Sequence, residues 1–179
     1  YQPANPLLWQ GRTDTSDPER LFQKITFIND EKELITNKKQ TIFIGFSSDA
    51  GVIRNQGRPG ARFGPDQIKS QLAKLPWPSN KPYVDLGNIL CEHDELEHAQ
   101  TQFASLISLC QKNGHRTIAL GGGHEIAWAH YQGLSTHYPK IGIINFDAHF
   151  DLRPHSKGQP GTSGTPFSQI AAYSAENKL

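Results

Sequence analysis

Apolar residues fall along this chain in short runs separated by helical stripes. Thr41-Ile-Phe-Ile-Gly-Phe46, Tyr83-Val-Asp-Leu86, Arg116-Thr-Ile-Ala-Leu120 and Ile141-Gly-Ile-Ile-Asn-Phe146 have strand length and strand composition. The last, dense in Ile, has the pattern of a strand buried on both faces. Between these runs the spacing changes to 3.6. Pro65 opens a helix with Ile68, Leu72 and Leu75 on one face, ended by Pro76 and Pro78. Asp94 is placed to cap a long helix carrying Leu96, Ala99, Phe103, Leu106 and Cys110, and Gly114 stops it. Ile126, Trp128, Ala129 and Tyr131 mark another helix, and residues 168–179 begin one more. Strands alternating with helices predict an open α/β sheet.

Residues 1–40 read as a polar, irregular N-terminal arm. Within it, Asp17-Pro18-Glu19 has the form of a helix start, followed by Leu21, Phe22 and Ile25 on one face. A short packed helix and a flexible arm are both open there. No repeat or linker divides the chain, so residues 1–179 are expected to form a single domain.

Composition narrows the function. The chain is long enough for a sizeable core, yet 36% apolar residues and a mean hydropathy of −0.57 are polar for a complete α/β domain. Many loop residues, or a missing apolar portion, would explain that. A formal charge of +1 gives no reason to expect nucleic acid or a membrane surface as partner. No run approaches the roughly 18 apolar residues of a membrane span, and no signal-peptide pattern opens the chain. Cys91 and Cys110 do not make a disulfide framework; free thiols in a reducing cytoplasm are expected. Cys110 belongs to the helix core, and His93 and His98 to a solvated face. The chain starts at Tyr1 and has no Met, so it is expected to lack the beginning of its translation product.

The chemistry concentrates after the Ile-rich run. Asp147, His149 and Asp151 alternate with Ala148 and Phe150. In an extended chain, side chains two apart point the same way, with Cα atoms about 7 Å apart. Two carboxylates at the end of a buried strand repel each other and lose hydration, and a cation between them removes both problems. Gly121-Gly-Gly-His-Glu125 follows the preceding strand. It has the outline of a phosphate cradle but lacks the lysine and the glycine spacing that nucleotide sites use. The glycines instead let the backbone approach a crowded centre and aim His124 into it, as a fourth ligand. His124, Asp147, His149 and Asp151 offer nitrogen and oxygen without thiolate, which suits Mn²⁺ or another borderline-hard divalent ion over a soft metal. Such a site lowers the pKa of bound water and polarises the bond attacked, so the reaction class is metal-assisted hydrolysis at a planar carbon–nitrogen centre. Two carboxylates set against a pair of divalent ions leave a two-metal site wanting further acidic ligands.

Two loops share that edge. Residues 47–65 form a long loop with Arg54, Asn55, Arg58 and Arg62. Ligands of open α/β sheets bind beyond the strands' carboxyl ends. The arginines either hold a carboxylate-bearing substrate or pair with acids and stiffen the loop. Residues 154–165 form a Gly/Pro/Ser loop. It either closes over substrate, with Ser163 or Thr165 as hydrogen-bond donor, or is a plain surface turn.

Gly121-Gly-Gly-His-Glu125 and Asp147-Ala-His-Phe-Asp151 resemble two metal motifs of the ureohydrolases, the arginase and agmatinase family. Leu8-Trp-Gln-Gly-Arg-Thr-Asp14, Gly51-Val-Ile-Arg-Asn-Gln-Gly-Arg-Pro-Gly-Ala61, His124-Glu-Ile-Ala-Trp-Ala-His-Tyr-Gln-Gly133 and Asp151-Leu-Arg-Pro154 are similar to its formimidoylglutamase branch, which serves histidine degradation. The resemblance implies a three-layer α/β/α fold with a mainly parallel sheet and two Mn²⁺ ions per complete site. It implies that Asp147 bridges the ions, His124 and Asp151 complete one side and His149 serves the other. Hydroxide bridging the ions would then attack N-formimidoyl-L-glutamate to release formamide and L-glutamate. Arg153, Arg54, Asn55, Arg58 and Ser163 become the candidates for holding the substrate's carboxylates. The enzyme would be cytoplasmic, with homo-oligomers possible. The family's third motif, Ser-x-Asp-x-Asp, is absent, which implies that the sequence is the N-terminal part, roughly 55–60%, of a family-sized domain. Arginases also carry a histidine where this chain has Ser163. Two other readings stand beside this one: a guanidino-substrate hydrolase of the same fold, and a non-catalytic chain with a partial metal site.

Overall fold

In the computed structural model, which describes residues 1–14, 19–36, 38–77 and 82–178, the sheet is built outward from β2 (Thr41–Ser47). β3 (Tyr83–Leu90) and β4 (Arg116–Gly121) flank it, both parallel to it. β1 (Ile25–Phe27) pairs with the far edge of β3, again parallel. The order among the described residues is β1-β3-β2-β4. Alternation along β2 sends Ile42, Ile44 and Phe46 to one face and Phe43 to the other. The first face packs under α3 (Leu96–Lys112), whose Leu96, Ala99, Phe103, Ile107 and Cys110 form the apolar stripe, and under Ala129 of α4 (Ile126–Ser135). Phe46 and Phe103 meet edge to face at 5.3 Å. The second face takes Trp9, Leu21 and Ile25, together with Ala73 at the end of α2 (Gly64–Leu72). The result is three layers around a parallel sheet. α5 (Pro166–Asn177) lies on α4, where the Tyr131 and Ser174 hydroxyls are 2.7 Å apart and Trp128 meets Tyr173. No helix among the described residues is long and apolar enough to cross a membrane.

Several expectations are corrected. Residues 141–146 do not form a buried strand: they lie outside the sheet, with Ile144 82% and Phe146 95% exposed. A continuous apolar run reports an appetite for burial, but burial on both faces needs a paired edge and a cover. β4 pairs only with β2 among the described residues, and α5 docks on α4 instead of over this run. The N-terminal arm is neither a packed helix nor loose. Leu21 sits in a 3₁₀ turn and Ile25 in β1, both in the core; Asp17 and Pro18 lie outside the described residues. The loop after β2 is not structureless, since α1 (Ala50–Arg54) forms within it. Asp94 does not cap α3; its residue has φ 64° and its carboxylate accepts from Arg54.

The face of α2 also differs from its periodicity. Ile68 and Leu75 are exposed, while Pro65 and Lys69 are buried. Lys69, only 1% exposed, turns the helix toward a polar knot. Its Nζ lies 2.7 Å from Asp85 Oδ1 and donates to Asn88 Oδ1 at 2.8 Å and Gly87 O at 3.2 Å. Trp9 Nε1 donates to Asp85 Oδ2 at 2.8 Å, so the N-terminal segment is tied to the same carboxylate. A buried pair adds little net stability while intact, but removing one partner strands the other charge. Asp85→Ala is therefore expected to lower stability by about 3–5 kcal/mol, measured by denaturant unfolding of the whole protein.

Candidate metal centre

Backbone geometry at the carboxyl edge of the sheet sets this site. β4 ends at Gly121, and the turn that follows crosses the end of β2: Gly122 N donates to Phe46 O at 2.8 Å and Gly123 N to Ser48 O at 2.9 Å. A Cβ on Gly122 would run into the Ser48 carbonyl and would stand 2.9 Å from Ser48 N and 3.0 Å from Phe46 O. Only glycine passes there. The next side chain, His124, is thereby aimed toward residues 147–151. Its ring stands edge-on to Phe167, with centroids 5.6 Å apart, which fixes its plane.

His124, Asp147 and Asp151 converge. One ligand atom from each lies within 4.8 Å of the others. His124 Nδ1 is 2.5 Å from Asp151 Oδ2 and 3.3 Å from Asp147 Oδ2. The backbone N–H of His149, with help from the nearby imidazoles, holds the Asp147 carboxyl below the usual aspartate range. Two carboxylates facing one imidazole are balanced either by a proton on His124 or by a divalent cation. The donor set of one nitrogen and two oxygens, without thiolate, fits Mn²⁺ or a similar ion.

His149 is not in this group. Its side chain is 81% exposed, and its Nδ1 stands 3.6 Å from Asp147 Oδ1. Strand alternation would have pointed it with the two aspartates, but the chain turns here. His149 N donates to Asp147 Oδ1 at 2.9 Å, and Asp151 has φ 48°. A local side-chain-to-backbone bond of this kind replaces extended geometry with a turn.

The residues expected to hold substrate divide. Asn55, Arg153 and Ser163 come together: Asn55 Nδ2 donates to Ser163 Oγ at 3.1 Å, and the Arg153 side chain and Asn55 Nδ2 both flank Gly164. Arg153 N donates to Gly164 O and Phe167 N to Asp151 O, which ties the 161–167 segment to the acidic stretch. Arg58 is exposed and joins none of these bonds. Arg54 is occupied elsewhere, by Asp94, Glu97 and Gly161. For both Arg54 and Glu97, burial opposes the charge, but their mutual hydrogen bonds and attraction, joined by Asp94 for the guanidinium and by backbone N–H groups, including that of Gly161, for the carboxyl, together outweigh it. The guanidinium is raised and the carboxyl lowered from their ordinary values.

Glu125 was missed as more than part of a motif. It is fully buried and accepts from Ser48 Oγ at 2.9 Å and Gly51 N at 3.1 Å through Oε1. Burial pushes its carboxyl up, and Oε2 has no partner among the described residues. It fills the room left by Gly51 and Gly123. The one available signal was an acid directly after the histidine in a glycine turn.

Comparison with known proteins places the chain in a family. The model of the arginase family matches residues 39–178. Formimidoylglutamase of Legionella pneumophila strain Lens is 67% identical over 179 residues, covering 100% of this chain and 56% of the relative. Formimidoylglutamase of Vibrio cholerae O395 is 49% identical over 174 residues, covering 90% and 52%. The chain thus spans little more than half the length of the curated relatives it matches. Among solved structures, Trypanosoma cruzi formiminoglutamase with Mn²⁺ superposes with a TM-score of 0.73 at 27% identity, over 86% of this chain and 52% of that one.

Gly122→Ala is expected to destabilise the protein by about 1–3 kcal/mol, because backbone atoms of β2 cannot yield to the added methyl. It should also lower affinity for divalent cations by displacing His124. A thermal melt together with Mn²⁺ titration calorimetry reads both effects.

Proposed function

This chain belongs to the arginase family, and on that premise we propose that the whole protein is a metal-dependent hydrolase converting N-formimidoyl-L-glutamate to L-glutamate and formamide. The observation that carries the reading is the convergence of His124, Asp147 and Asp151 on one point at the carboxyl edge of the sheet. The high identity to curated formimidoylglutamases supports this choice of substrate. Two Mn²⁺ ions are part of the proposal, with His124, Asp147 and Asp151 around one and His149, beside Asp147, serving the second. When bound, the metal would supply an activated water and polarise the formimidoyl carbon.

The chain's own residues do the rest. Arg153 offers a planar guanidinium, whose fork matches a carboxylate. Asn55 and Ser163, already hydrogen-bonded to each other, present an amide and a hydroxyl beside it. Together they would hold the glutamate end and fix the direction in which the formimidoyl group points. Phe167 stands edge-on to the His124 ring and covers one side of it. A cytoplasmic location fits the buried free thiols of Cys91 and Cys110, the latter pushed up to about 12 by burial.

In the whole protein loaded with Mn²⁺, formamide release from N-formimidoyl-L-glutamate is expected, with no urea from arginine or agmatine. Asp147→Ala should reduce both Mn²⁺ affinity and turnover by more than the roughly 10–100-fold that losing a mere outer partner costs. Urea from a guanidino compound without formamide would replace the substrate assignment. Wild-type rates and metal content in the Asp147 variant would remove that residue from the centre.

A further inference from the structure

We propose that Arg54 is a positioning residue that works with Glu97 to hold the 161–165 loop, and that it does not touch substrate. A guanidinium has five N–H donors, and the structure uses all of them within the protein. Nε donates to Asp94 Oδ1 at 2.9 Å; Nη1 donates to Glu97 Oε1 at 2.6 Å and Gly161 O at 3.1 Å; Nη2 donates to Asp94 O at 2.9 Å and Glu97 Oε2 at 3.1 Å. No donor is left for a substrate carboxylate.

The pair also holds both backbone groups of one loop residue. Arg54 Nη1 takes the Gly161 carbonyl, and Glu97 Oε1 accepts the Gly161 N–H at 3.1 Å. From that anchor the loop folds on itself through Thr162 and Thr165, and Ser163 N donates to Gly51 O at 3.0 Å. This places Ser163 Oγ on Asn55 Nδ2, one residue along from Arg54. The far side of the clamp is over-determined as well. His93 and Asp94 lie in succession at φ 45° and 64°, a conformation that costs energy for side-chain-bearing residues and persists only where the surroundings enforce it. There it presents both the carbonyl and the carboxylate of Asp94 to Arg54. A clamp of this form fixes where Ser163 and Asn55 meet the substrate, and neither Arg54 nor Glu97 bonds to His124, Asp147 or Asp151 in any of these contacts.

The inference rests on the proposed reaction for its kinetic readout, so the test includes a readout that does not. Arg54→Ala, Glu97→Ala and the double variant are made in the whole protein with Mn²⁺. They are compared for KM and kcat on N-formimidoyl-L-glutamate, for metal content, and for amide hydrogen exchange in residues 161–165. Each single variant is expected to raise KM about tenfold, the scale of a lost charged hydrogen bond, with kcat and metal content near wild type. The double variant should be no worse than either single one, since both remove the same clamp. Exchange in the loop should quicken in all three. A higher KM in Arg54→Ala with wild-type KM in Glu97→Ala would mean that Arg54 binds substrate itself, and the proposal falls. It falls too if the variants lower the melting temperature without changing KM. If the wild-type protein does not turn this substrate over, the reaction assignment fails by itself. The exchange data then decide the clamp: faster exchange in both single variants upholds it, and unchanged exchange sinks it.

Discussion

Two backbone hydrogen bonds, from Gly122 and Gly123 to the carbonyls of Phe46 and Ser48, bind the turn after β4 to the end of β2. The rest of the carboxyl edge is built on that contact. It exists because neither glycine brings a side chain into the gap, and the space left beside Gly51 and Gly123 is filled by the Glu125 carboxyl. Glu125 in turn accepts the Gly51 N–H at the start of α1, and Gly51 O receives the Ser163 N–H. A continuous path of hydrogen bonds, main-chain except at the Glu125 carboxylate, thus runs from the central strand through the histidine turn to the loop beside the acidic stretch. Each bond contributes only about 0.5–1.5 kcal/mol net, but left unmade in a buried place it would cost more. The path therefore tolerates few alternatives, and it fixes His124 relative to Ser163 with the Glu125 carboxylate as its one side-chain link.

What could be read in advance was whatever depends on period and punctuation. β2, β4, α3 and α4 lie close to their expected places because their apolar residues repeat at two or 3.6 and glycine or proline marks the ends. The three-layer arrangement was implied by the resemblance to the ureohydrolases, and the meeting of His124 with Asp147 and Asp151 was expected from the ligand residues at the ends of successive apolar runs. The misread parts share a different cause. Ile141 to Phe146 announces a need for burial, but whether a neighbour supplies it is a tertiary fact. Ile68 and Leu75 form a plausible stripe on α2, yet the buried position is Lys69, because Asp85 and Asn88 wait opposite it on β3. Periodicity scores a lysine as polar and cannot see its partner. His149 departs from strand alternation for a related reason, since alternation holds only while the chain stays extended and one Asp147 oxygen is enough to turn it.

Charge balance separates the structural ion pairs from the candidate centre. Lys69 meets Asp85 and is supplemented by neutral acceptors, so that knot closes. Arg54 faces Asp94 and Glu97, and every one of its donors is matched. Both groups are self-contained and give a ligand nothing to bind. At His124 the count differs: two carboxylates share one imidazole nitrogen, and that imidazole is charged only when protonated. Besides the exposed His149 ring, 3.6 Å from Asp147, the remaining carboxylate charge has no lysine or arginine within ion-pair distance among the described residues, although Arg153 is two positions away in sequence. At Lys69 and at Arg54, by contrast, each donor meets an acceptor. An excess of negative charge at one place, on a backbone held by glycine contacts, is the physical condition that a divalent cation would satisfy, and it is the ground on which the proposed metal site stands where the other ion pairs are self-contained.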